Sequence, residues 1–110
     1  MRLPILLVRL NGVSMSPTLD DGDFVLVVRL GRAAPRVGQV LVADVPALGR
    51  VVKRVVARDA QGWLALAGDN QLSIAPEHLG RVSPSTIAGR VWLRVGRRGG
   101  VTGRGLSRSP

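Results

Sequence analysis

The chain contains no cysteine, no tyrosine, one phenylalanine, two tryptophans, one histidine, one lysine, and seven acidic residues against sixteen basic ones. The lack of cysteine excludes disulfides, thiolate metal sites and a cysteine nucleophile. A single histidine, His78 beside Glu77, is too little for a zinc cage. It reads as a loop residue, and neither a metal nor a cofactor is expected. With so few aromatics there is little surface on which bases could stack, so the net charge of +9 does not by itself imply nucleic acid. Four of the arginines, Arg97, Arg98, Arg104 and Arg108, fall in the Gly/Ser-rich end, and without them the excess is +5. No run approaches the roughly 20 apolar residues that a membrane span needs. The stretch Leu3-Pro4-Ile5-Leu6-Leu7-Val8 lies between Arg2 and Arg9 and is not followed by a small-residue cleavage site. It reads as a first strand, with peripheral contact between this end and a membrane as the alternative.

What the chain does have is Val, Leu and Ile in short runs broken by Gly, Pro and Asp. No helical period is sustained, and the pattern predicts an all-β fold. Strands are expected near residues 4–10, 24–29, 38–44, 50–58, 63–67 and 87–95. Asp20-Asp21-Gly22-Asp23 predicts a turn, because it lacks the distal glutamate of a calcium loop. Asp59-Ala60-Gln61-Gly62 predicts a hairpin. One short helix is expected at Ser16–Leu19 or at Pro84–Ile87, the second capped by Ser83. At 110 residues the chain makes one domain, read as a core over residues 1–95 followed by a disordered basic tail over 96–110.

The one lysine, Lys53, sits in the apolar run Val51-Val52-Lys53-Arg54-Val55-Val56, downstream of Gly12-Val13-Ser14-Met15-Ser16-Pro17-Thr18-Leu19. A serine hydroxyl becomes a good nucleophile when a neighbouring base takes its proton, and an amine can do this only when uncharged. A free lysine amine has a pKa of about 10.4, whereas a base working near neutrality needs roughly 7–8. Apolar burial can close that gap. On a strand Lys53 shares a face with Val51 and Val55, and Arg54 points the other way. The pairing of a lysine in such a run with an upstream serine cluster suggests a Ser/Lys hydrolase.

Three segments together resemble the type I signal (leader) peptidase superfamily, which includes the LexA-type self-cleaving repressors. They are Ser14-Met15-Ser16-Pro17-Thr18-Leu19 followed by Asp21-Gly22-Asp23, then Val52-Lys53-Arg54-Val55-Val56, then Gly68-Asp69-Asn70 followed by Ser73 and Gly80-Arg81-Val82. The resemblance implies a compact fold of coiled antiparallel sheets forming a partly open barrel. It implies Ser14 as nucleophile and Lys53 as general base, with Ser73 holding the amine and Asp69 pairing with Arg54 behind the site. The oxyanion hole would be built from backbone donors at Ser14 and Gly12, since Gly12 stands where some members carry a serine. Met15 is either core filler or a wall of the substrate groove. Ser16, which precedes Pro17, is the rival nucleophile and is read as structural.

The implied activity is a serine endopeptidase cleaving leader or pro-segments from a polypeptide precursor, with small residues favoured near the cut. The resemblance also extends to small soluble relatives that mature soluble precursors, including those associated with nickel superoxide dismutase. The compartment is left open between cytoplasmic and membrane-peripheral, of bacterial type. In two respects the chain departs from the pattern: Ser73 is followed by Ile74-Ala75-Pro76-Glu77, and the interval from Asn70 to Ser73 is one residue short. Only a hairpin separates Lys53 from Gly68, so the large second β-domain of Gram-negative leader peptidases has no counterpart between them. One alternative is a LexA-type regulatory or dimerisation domain, although the thirteen residues before Ser14 hold no Ala-Gly or Cys-Gly pair to cleave. The other is a non-catalytic basic binding module.

Overall fold

The computed structural model describes residues 4–12, 14–31, 34–46, 48–70, 80–96, 99–103 and 105–106. Strands β1 (Ile5–Arg9), β2 (Phe24–Val28), β3 (Val40–Val45), β4 (Gly49–Arg58), β5 (Leu64–Ala67), β6 (Arg81–Val82), β7 (Ile87–Val95) and β8 (Val101–Thr102) form one antiparallel sheet in the order β1-β2-β7-β3-β4-β5-β6, with β8 also on β7. One turn of 3-10 helix, Pro84–Thr86, precedes β7, and the Ser83 side chain accepts the N–H of Ser85 at its start. Residues 16–19 form turns, closed by a bond from the Leu19 N–H to the Met15 carbonyl (2.9 Å). No helix among the described residues is long and apolar enough to cross a membrane.

The sheet is curled into a half-barrel, and β3 is buried on both faces, which explains its nearly unbroken apolar run. Val40 and Val42 enter one core with Leu10, Met15, Leu19, Val25, Val27 and Val91. Leu41, Ala43 and Val45 enter a second core with Val55, Leu64, Leu66 and Val82. β7 joins the two halves: its second half pairs with β2, and its other edge is shared between β3 and β8. Gly89 sits at this crossing, where a Cβ would lie 2.6 Å from Val27 Cγ1 and 2.6 Å from the Val28 carbonyl oxygen. Only glycine lets the two strands approach so closely. Trp92 is the extra residue of a bulge, since Leu26 faces Leu93 and Val27 faces Val91.

The expected strands agree with the observed ones to within a residue or two. β3 begins later than expected because Gly38, at φ 97°, and Gln39 form a turn closed by a bond from the Gln39 N–H to the Arg36 carbonyl. Past residue 95, where a loose tail is expected, the described residues 99–103 and 105–106 include ones that contact the core. Val101–Thr102 pair with Arg94–Val95, Leu106 is buried in the first core, and the Val40 N–H donates to the Leu106 carbonyl (3.2 Å). A single leucine among glycines and arginines anchors this segment, and an averaged composition conceals it.

Candidate functional site

The loop between β1 and β2 carries Ser14, and its shape follows from its carboxylates. The Asp21 Oδ1 accepts the Gly12 N–H at 2.8 Å, and the Asp23 Oδ2 accepts the Asp20 N–H at 2.8 Å. Gly22, at φ 84°, turns the chain so that its N–H reaches the Leu10 carbonyl (2.9 Å). Buried Asp23 also receives Arg94 Nε at 2.7 Å, while Arg94 Nη2 reaches the Asp20 carboxylate at 3.0 Å and Nη1 the Thr18 carbonyl at 3.3 Å. The acidic cluster is therefore occupied by an arginine from β7 and by backbone donors. Met15 and Leu19 fix the loop from beneath by entering the first core.

Lys53 lies in the middle of β4, opposite Leu41 on β3. Only 6 % of it is exposed, and burial lowers the pKa of its amine from the ordinary lysine value. Leu41 and Val55 belong to the second core, and Val51 packs against it. Lys53 and Ser14 line one groove of about 320 Å³, together with Val8, Leu10, Met15, Leu19 and Val52. Met15 is thus both core residue and groove wall. Arg50, held by Asp44 at 2.9 Å, also borders this groove.

Arg54 points to the opposite side of β4 and ties the site's segments together. Its Nε and Nη2 form a fork on Asp69 (2.9 and 2.7 Å), Nη1 donates to the Gly38 carbonyl (2.8 Å), and Nη2 also donates to the Gly105 carbonyl (2.7 Å). Asp69 in turn accepts the Thr18 hydroxyl, and the Asn70 N–H donates to the Ser14 carbonyl at 2.9 Å. The serine loop, the lysine strand, the segment after β5 and the C-terminal segment therefore meet at one buried ion pair. Ser73, Glu77 and His78 lie outside the described residues. Gly12 borders the groove, but its N–H is committed to Asp21 rather than offered to an oxyanion.

Sequence reasoning missed Thr18, Gly38, Gly105 and Arg94. Gly38 and Gly105 act through backbone carbonyls, as Thr18 does toward Arg94, and carbonyls leave no mark in a sequence. Arg94 could have been suspected from the excess of acids in the serine loop, which need a cation once they are buried.

A match to a family model supports the signal peptidase/LexA-type peptidase superfamily, and the curled antiparallel sheet fits that fold. Within it, the chain belongs to the peptidase S24-like family, which it matches over residues 4–92. That family places it among serine-peptidase-type and LexA-like domains. Comparison with curated proteins and with solved structures finds no match.

Proposed function

We propose that the protein is a serine endopeptidase that removes leader or pro-segments from a polypeptide precursor, with Ser14 as nucleophile and Lys53 as base. The observation that supports it most is the sharing of one groove by Ser14 and a buried lysine whose amine is biased toward its neutral form. In this reading the neutral Lys53 amine takes the Ser14 Oγ proton as Oγ attacks the scissile carbonyl carbon. The tetrahedral oxyanion is stabilised by the Ser14 N–H. The resulting ammonium then gives its proton to the leaving amine as the C–N bond breaks, and water, activated by the same amine, hydrolyses the acyl-enzyme. Arg54 and Asp69 act as positioning residues, because their ion pair links Thr18 of the serine loop to β4. Ser73 is assigned the role of holding the lysine amine.

The test is cleavage of a leader-peptide library read by mass spectrometry, comparing Ser14→Ala with Ser16→Ala. Ser14→Ala should abolish all cuts, while Ser16→Ala should keep most of them. Full activity in Ser14→Ala, or equal loss in both variants, would reject the assignment.

A further inference from the structure

Away from the groove, four arginines surround a cavity of about 580 Å³: Arg29 after β2, Arg36 in the following loop, Arg58 at the end of β4 and Arg90 in β7. Among the described residues, no acidic one lines it. The described carboxylates are used elsewhere: Asp20 and Asp23 by Arg94, Asp44 by Arg50, Asp59 by Arg81, Asp69 by Arg54, and Asp21 by the Gly12 N–H. Among the described residues, Arg36, Arg58 and Arg90 have no carboxylate within ion-pair distance. Buried Gln39 also lines the cavity and accepts the Arg36 N–H on its Oε1 (2.9 Å), so what it can still offer is an NH2 donor. Among the described residues, the polar side chains of the lining are therefore donors and positive charges, with the Arg58 Nη1 also donating to the Pro35 carbonyl at 3.2 Å. Like charges gathered in a concave site raise the local potential and draw in an anion.

A second cavity of about 460 Å³ adjoins the first, sharing Arg29, Leu30, Ala34 and Arg58 with it. Its remaining wall is largely apolar, with Pro35, Pro84 and Ile87. Each cavity is of a size that takes a small molecule. Among the described residues no aromatic side chain lines either one, which argues against a single-stranded nucleic acid, whose bases need stacking partners. The planar guanidinium fork suits phosphoryl oxygens. We propose that this trough binds a small anion carrying clustered phosphoryl groups. The site shares no lining residue with the Ser14/Lys53 groove, so it stands or falls independently of the peptidase reading.

The test is calorimetric titration of the full chain at about 150 mM salt with ADP, inorganic pyrophosphate, citrate and a single-stranded oligothymidine. Saturable binding of ADP or pyrophosphate, tighter than citrate and the oligonucleotide, is expected. Tighter binding of ADP assigns the ligand to phosphorylated organic molecules, and equal or tighter binding of pyrophosphate assigns it to inorganic polyphosphate. Arg58→Gln and Arg90→Gln should each weaken the bound probe by about tenfold, the loss of one charge-assisted hydrogen bond. Arg81→Gln, which removes an arginine elsewhere, should change it less than twofold. Arg36→Gln, at an exposed position, serves in place of Arg90→Gln if that variant does not fold. Absence of binding below about 1 mM, equal losses in Arg81→Gln, or citrate or oligonucleotide binding as tight as the phosphates would overturn the proposal.

Discussion

Asp69→Ala should be among the most damaging single substitutions in this protein. The side chains of Arg54 and Asp69 are only 6 % and 9 % exposed, so removing the carboxylate leaves a buried guanidinium held by the Gly38 and Gly105 carbonyls alone. It also takes the acceptor from the Thr18 hydroxyl. Breaking a buried pair in this way costs about 3–5 kcal/mol, against a total stability of about 5–15 kcal/mol for a domain. Thermal melting should fall by more than about 10 °C, and the urea midpoint should fall with an unchanged slope. The double variant Arg54→Met/Asp69→Leu leaves no charge buried and should lie closer to the parent than Asp69→Ala does. Urea denaturation of the parent, the single variants Arg54→Met and Asp69→Leu, and the double gives the coupling directly. A loss below about 1 kcal/mol in Asp69→Ala, as an exposed pair would give, would refute this reasoning, as would simple additivity of the two single variants.

Leu106→Ala should cost about 2–5 kcal/mol by urea denaturation, as expected for a leucine in a packed core; a change below about 0.5 kcal/mol would mean that the C-terminal segment is not part of the fold. Lys53→Met should fold and at neutral pH be at least as stable as the parent. The sign follows from the lowered pKa: between the folded value and the ordinary value of 10.5 the unfolded chain binds more protons, so the parent gains stability as pH rises. The advantage of Lys53→Met should therefore shrink toward alkaline pH, and chemical denaturation at pH 7 and pH 10 checks whether it does.

The strands were legible because each apolar run is bounded by Gly, Pro or Asp, as in Asp21-Gly22-Asp23 before β2 and Asp59–Gly62 between β4 and β5. In that second turn the Asp59 Oδ1 accepts the N–H of Gln61 and of Trp63, the chemistry for which aspartate is favoured there. β6 and β8 span only two residues each, too few to show a period. The surroundings of Lys53 could be read from its apolar neighbours, and the far side of its strand from the alternation of a strand. The contacts that join the serine loop to the rest of the site span up to 76 residues and run through carbonyls and a hydroxyl, which local sequence does not reveal. Leu106 was hidden for a related reason: its partners Val40 and Val91 lie far from it in the chain.

The most direct measurement is the pH dependence of kcat/KM for a peptide cut in a Ser14-dependent manner, taken from pH 5 to pH 9 with the parent, Lys53→Met and Lys53→Arg. With the neutral Lys53 amine as the working base, the parent rate should rise about tenfold per pH unit in the acid limb and level off above the lysine pKa. Both variants should be inactive while still folded, Lys53→Arg because a guanidinium keeps its proton. A flat profile in folded parent protein, or cleavage retained in either variant, would contradict a Ser14/Lys53 dyad.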